Sequence, residues 1–203
     1  MSSSGKPLRA DAARNRARVV EVAYEAFAAD GLKVSLDEIA RRAGVGAGTV
    51  HRHFPAKDDL FRAVVSERMA GLIADGYALL GGSTPGEAVY DFVRALVLRW
   101  GASDRGLVDA LAGVGIDVTV VVPDAEADFL ALLDGLLAAA RAANTIRSDI
   151  DTAQLKVLVV GCQAMHGYDR ELGAVATEVV LDGLRPVDMG RRVSNSRSAR
   201  KES

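Results

Sequence analysis

Ala47, Gly48, Thr49, His51, Arg52 and His53 put small residues and hydrogen-bond donors into one short run of this 203-residue chain. The leading residues are small enough to let a backbone approach another surface closely. The later ones donate hydrogen bonds, and Arg52 adds a planar cation that pairs with a guanine edge or with a phosphate. This is recognition chemistry. The remaining reactive residues make no catalytic set. His51 and His53, two apart on a helix, point in different directions and cannot share a metal through i, i+4 spacing. Cys162 and His166 are four apart and share a helical face, as a nucleophile with its base or half a zinc site would. The chain has no second cysteine, however, and no orienting acid can be placed beside the pair. A small apolar cysteine and a satisfied histidine lining a cavity account for them. Gly44-x-Gly46-x-Gly48 lacks the strand and helix of a phosphate loop. No catalytic residue, metal site or cofactor is expected, and the chain reads as a non-enzyme.

The run needs a scaffold, and Ser35 to Phe54 reads as two short helices joined by a tight turn. Ser35 caps the first by accepting from the backbone N–H of Glu38, whose side chain is expected to reach back to the cap. Leu36, Ile39, Ala40 and Ala43 fall on one buried face. Gly44 suits the left-handed end of that helix, and Val45 plugs the turn. The second helix runs from Ala47 to His53 with Val50 and Phe54 inward, and Pro55 blocks its continuation. A helix–turn–helix places such a second helix in the DNA major groove, its N-terminal residues at the base edges. A helical hairpin with a merely solvated polar face has the same outline, so the flanks decide.

Ile39 through Phe54, followed by Pro55-Ala56-Lys57-Asp58-Asp59-Leu60, closely resembles the signature of the TetR family of bacterial transcriptional regulators. Val19, Val22, Ala23, Ala26, Phe27 and Gly31 look like that family's first-helix pattern. Gly46 stands where many members carry serine, and His51 replaces the usual tyrosine. The resemblance implies a dimer whose two heads dock on successive major grooves of a palindromic operator, about 34–36 Å apart. It puts Ala47, Thr49 and Arg52 near bases, with phosphate neutralisation the alternative for Arg52. Gly48 gives close approach, while Ser35, His51, His53 and Lys57 serve phosphates. It further implies that the last two helices form a four-helix bundle with a two-fold mate, and that a small-molecule effector releases a repressor from its operator.

Composition agrees with an all-α protein. About half the residues are apolar, prolines number five, and the single cysteine excludes an internal disulfide. The basic N-terminus lacks the apolar region of a signal peptide, and no apolar run approaches the ~20 residues that span a bilayer. A cytoplasmic protein is expected. The net charge of −2 hides an asymmetry. Residues 1–70 hold 12 Lys/Arg against 9 Asp/Glu, whereas residues 71–185 hold 8 against 16. A basic head on an acidic body suits DNA at the head, and Arg14, Arg16 and Arg18 cluster before the first apolar stripe. The body's acid favours a cationic or amphipathic effector.

Residues 1–10 read as a flexible basic arm, residues 11–56 as the DNA-binding domain, and residues 57–185 as the ligand-binding and dimerisation domain. From 186 a Ser/Arg-rich tail reads as disordered. About nine helices are expected: the first over 11–30 capped by Asp11, three more to about residue 80, then one from Thr84-Pro85 through Trp100. A short segment around Leu107 to Ala112 and a loop or irregular helix end at Val118 to Val122 follow. Helices then run from Pro123 to about Asn144, from Asp151-Thr152 until Gly167 breaks it, and from Glu171 to Leu184. The last two are apolar on more than one face, as a subunit interface requires. Met69, Phe92, Leu96, Trp100 and Phe129 are candidates to line an effector pocket. Leu133, Cys162, Met165 and His166 complete that set. The alternative reading is a helical small-molecule-binding or interaction module without DNA binding, which predicts losses at Gly48, Lys57 or the basic arm; none has occurred.

Overall fold

The computed structural model describes residues 5–82, 84–100 and 123–186. Eight α-helices and no strand occur among them. They are α1 (Gly5–Asp30), α2 (Leu36–Ala43), α3 (Ala47–His53), α4 (Lys57–Leu80), α5 (Ala88–Arg94), α6 (Pro123–Ala142), α7 (Thr152–Tyr168) and α8 (Arg170–Gly183). A 3-10 turn, Gly31–Lys33, follows α1, and α5 runs on as a π-helical stretch, Ala95–Trp100. The expected segments at 107–112 and 118–122, and the tail from 187, lie outside the described residues.

Two compact units emerge. The first holds the described residues up to Asp75, with Arg99, Trp100 and α6 as far as Leu130; the second holds Gly76–Leu98 and Ala131 onward. In the first, Val19, Ala23, Ala26 and Phe27 of α1 are buried in one apolar cluster with Ile39, Val50 and Phe54. Phe27 meets Phe61 edge to face, centroids 5.7 Å apart. Leu60, Phe61, Val64 and Val65 of α4 belong to the same cluster, so the head keeps the first turns of α4 although residue 57 was the expected boundary. Helices of seven or eight residues are marginal alone, so α2 and α3 owe their order to this burial.

The second unit packs Phe92 and Leu132 so closely on Gly76 that an added Cβ would lie 2.4 Å from Leu132 Cδ2. Arg94 grips Glu178 through two 2.8 Å bonds, and Arg185 grips Glu87 at 2.9 and 3.1 Å while lying over the Tyr90 ring. Tyr90, fully buried, donates its hydroxyl to Thr145 O at 2.7 Å, and burial pushes its phenol up from its ordinary value. Asp151 caps α7 in a full capping box with Gln154.

Several sequence expectations are corrected. The first helix starts at Gly5, not at 11, so the expected arm is helical from residue 5. Pro7 sits in the first turn, where its missing N–H costs nothing. Asp11 is no cap, since it pairs with Arg14 inside the helix. Residues 85–87 form a turn, and α5 begins only at Ala88. Gly167 does not break α7, which ends at Tyr168. Asp169, extended at φ −146, closes α7 and caps α8 with its side chain. Glu38 does not reach back to its cap. Its carboxylate instead takes Arg41 at 2.7 and 2.8 Å and Arg42 at 2.8 Å.

Those hydrogen bonds, Arg41's first and then Arg42's, hold the Glu38 carboxyl down at about 2, below its ordinary 4.5. A depressed acid contributes stability above its unfolded value and loses it as pH falls through the folded one. Glu38→Gln is therefore less stable than the parent at neutral pH in urea unfolding. The gap closes between pH 4.5 and about 2, and shrinks in high salt because the pair is exposed.

The hairpin of α7 and α8 makes a second test. An added Cβ at Gly173 would lie 2.4 Å from His166 Cα, so the backbones touch there. Gly173→Ala lowers the melting temperature, at about 1–3 kcal/mol of overpacking. Gly161→Ala, with nothing within 4 Å of the new Cβ, raises it, since alanine is about 1 kcal/mol the better helix former.

Candidate nucleic-acid interface

Local chemistry builds the α2–turn–α3 unit. Ser35 Oγ accepts from Glu38 N at 3.2 Å, which satisfies one open donor of α2. Gly44 adopts φ 65, the left-handed conformation that suits glycine, and Val45 N closes on Ala40 O at 3.0 Å. Gly46 opens α3 without a side-chain cap, its carbonyl receiving Thr49 N at 2.8 Å. Phe54 leaves helical geometry at φ −135, just before Pro55. Val50 and Phe54 are turned fully inward. Ala47, Gly48, His51, Arg52 and His53 are exposed, and Thr49 is half-buried.

The structure brings the predicted recognition residues together on α3 and adds tethers that spacing did not reveal. His51 Nε2 lies 3.1 Å from Asp37 Oδ1, across the turn from α2. Arg52 donates Nε–H to Gly48 O at 3.0 Å. Lys57, half-buried at the start of α4, donates to the carbonyl of Leu32. Ser35 is exposed at the start of α2, its oxygen engaged as the cap. Arg42 bridges Glu38 and Asp30, the latter at 2.7 Å, and the Arg16 guanidinium stacks over Phe54 at 5.4 Å. The spacing of Glu38 with Arg41 and Arg42, three and four residues on, signals that clamp in the sequence. The pairing of Asp37 with His51, fourteen residues apart, carries no such signal.

The effector-pocket candidates divide. Met69 packs against the head cluster, and Phe129 also falls in the first unit. Phe92, Leu96, Leu133 and Cys162 are buried in the second unit. The side chain of Trp100 lies outside the described residues. Burial pushes the Cys162 thiol up, partly offset by the Thr177 side chain, so it is a poor nucleophile. His166 is buried, and both its ring nitrogens lack a hydrogen-bond partner among the described residues. Met165 lines a groove of about 440 Å³ with Tyr168, Leu172, Gly173 and Ala176 of the α7–α8 hairpin. Among the described residues no group of three or more His, Cys, Asp or Glu is placed to hold a metal ion, and no helix is long and apolar enough to cross a membrane.

Comparison with known proteins bears on this geometry. Residues 19–64 match the model for bacterial regulatory proteins of the tetR family, and residues 84–186 match the model for the C-terminal domain of SbtR-like transcriptional regulators. An HTH-type transcriptional regulator of Staphylococcus aureus (strain USA300) is 41% identical over 59 residues, 29% of this chain and 32% of the relative. The match thus spans about a third of the length of such curated relatives. A TetR transcription regulatory protein from Mycobacterium vanbaalenii is 53% identical, with a TM-score of 0.71 over 89% of this chain and 100% of that one. The TetR regulator SCO0520 from Streptomyces coelicolor is 30% identical, with a TM-score of 0.67 over 85% of this chain and 99% of that one. The outward α3, the head built around it and the similarity along nearly the whole length lead to one assignment: the chain belongs to the TetR family of bacterial transcriptional regulators.

Proposed function

We propose that this protein is a cytoplasmic, dimeric repressor that docks α3 into the major groove of a palindromic operator and is released by a small molecule. One observation carries the DNA reading: α3 spends Val50 and Phe54 on the core and leaves Ala47, Gly48, His51, Arg52 and His53 exposed. In the docked state Ala47, Gly48, Thr49 and Arg52 meet bases, while Ser35, His51, His53 and Lys57 meet phosphates. Lys57 and His51 then exchange their present partners, the Leu32 carbonyl and Asp37, for phosphate oxygens.

A second copy is the natural cover for the apolar face of α7 and α8. Val157 and Val160 of α7 and Leu172, Val175 and Val179 of α8 are large, apolar and more than half exposed. Patches of this kind mark interaction surfaces, and a self-complementary one gives a two-fold dimer. The effector belongs in the second unit, among Phe92, Leu96, Leu133 and Cys162, with His166 as the polar group that orients it. Any such ligand works only by favouring the DNA-incompetent state. Residues 57–185 act as this regulatory domain, with α4 shared between the units.

A mobility-shift titration against duplexes from the protein's own upstream intergenic DNA tests the central reading. A retarded complex that weakens steeply with added salt is the expected result. No shift at any of those duplexes, with calf-thymus DNA also unbound, contradicts it and leaves a helical module without DNA binding.

Gly48→Ala separates packing from recognition. Nothing in the protein lies within 4 Å of the added Cβ, so the fold is kept and, as at Gly161, the melting temperature rises, while operator affinity falls because the new methyl meets the groove. Unchanged affinity contradicts close approach at Gly48. For the dimer, the double variant Val175→Asp, Val179→Asp elutes as a helical monomer in size-exclusion chromatography with light scattering. An unaltered dimer places the interface elsewhere.

A further inference from the structure

Arg52 is the lone arginine of α3, and its side chain does not extend away from the helix. Its Nε–H is bound to the carbonyl of Gly48, one turn earlier, at 3.0 Å. That bond draws the guanidinium back along α3 toward Gly48. It uses one of the five guanidinium donors and leaves the four on the terminal nitrogens, which have no partner among the described residues. Around it, Arg41 and Arg42 are held by Glu38, Lys57 by the Leu32 carbonyl, and the His51 ring by Asp37.

Two features separate a base contact from a phosphate contact. An arginine near the C-terminal end of a reading helix that pointed outward would meet the flanking backbone. Arg52 is instead pulled toward the N-terminal half, the part a helix–turn–helix brings to the base edges. That half is also low in relief. Ala47 and Gly48 are exposed, and the space beside Gly48 is open, although glycine is a poor helix former and no packing demands it there. The Nε–H bond thus holds the guanidinium one turn back, beside Gly48, where α3 can come nearest to a groove floor.

We propose that Arg52 determines operator specificity: held by the Gly48 carbonyl, its terminal nitrogens pair with O6 and N7 of one guanine in the major groove. This rests on the DNA-binding reading above and adds the base that is read. A planar fork matches the two guanine acceptors in a way that a lysine ammonium cannot. A phosphate contact alone would weaken every sequence alike.

The test is selection of bound duplexes from a randomised library by the full-length protein. Mobility-shift titrations follow, of the selected duplex and of versions with each G·C pair replaced in turn by A·T. The native protein shows a guanine at which replacement weakens binding by roughly ten- to a hundredfold. In Arg52→Ala, and in Arg52→Lys, which keeps the cation without the fork, the cost of that one replacement falls below about twofold. The other positions keep their preferences. Circular dichroism and melting stay unchanged, because Arg52 is exposed. Discrimination at every guanine that survives both substitutions overturns the proposal, whatever the loss in overall affinity. Failure of the native protein to enrich or shift any duplex overturns the DNA-binding reading and this inference with it.

Discussion

The interface hangs on two side chains of one short helix. Val50 and Phe54 are buried in the head cluster, and everything else on α3 follows from where those anchors point. A seven-residue helix cannot hold itself together in water, so its orientation is dictated by the pocket that Phe27, Ile39 and their neighbours make for it. With the anchors four apart, Gly48 and Arg52, also four apart, lie on the opposite surface, and His51 and His53 flank it on either side. Gly44, in the left-handed conformation, sets the angle at which the two helices meet. The head is thus a device for holding one polar face outward at a fixed pitch.

Charge on that head is organised more tightly than its modest basic excess suggests. Glu38 binds both Arg41 and Arg42 at the solvent side of α2, Asp30 takes Arg42 as well, and Asp37 occupies His51. These contacts lie near the surface and contribute little to stability individually. Their consequence is directional: they fix long side chains that would otherwise sample many rotamers, so fewer conformations are lost when a polyanion arrives. Arg52, like Lys57, is tethered to a neutral backbone carbonyl, which leaves its charge uncompensated.

Much of this was legible in the sequence because it is local. Ser35, Gly44 and Pro55 punctuate the helices by backbone rules that need no tertiary context, and the apolar spacing of Val50 and Phe54 names the inward face. The Asp151 cap of α7 was legible for the same reason. Non-local partners were not. The carbonyl of Leu32 beneath Lys57 and the carboxylate beside His51 depend on how separate segments meet. Local rules also misled where two signals competed. Gly167 looked like a stop, but Asp169 supplies a cap that serves both α7 and α8, so the helix survives its glycine. Pro7, read as part of an arm, is tolerated in a first turn. The effector candidates were the least legible, since an apolar helix face looks the same whether it packs a core or lines a cavity.

The second unit shows the complementary arrangement. Its polar anchors, Arg94 on Glu178 and Arg185 on Glu87, sit around buried aromatics, while Val157 and Val160 of α7 and Val175 and Val179 of α8 stay exposed. An outward polar face in one unit and an outward apolar face in the other are the basis on which the proposed DNA contact and the proposed self-association are kept apart. Amide hydrogen exchange of the full-length protein, with and without a duplex that it selects, tests this division most directly. Added protection concentrated at Ser35 and along Ala47–Lys57, with α7 and α8 unchanged, is the expected result. Protection confined to α7 and α8, with α3 exchanging as before, contradicts it.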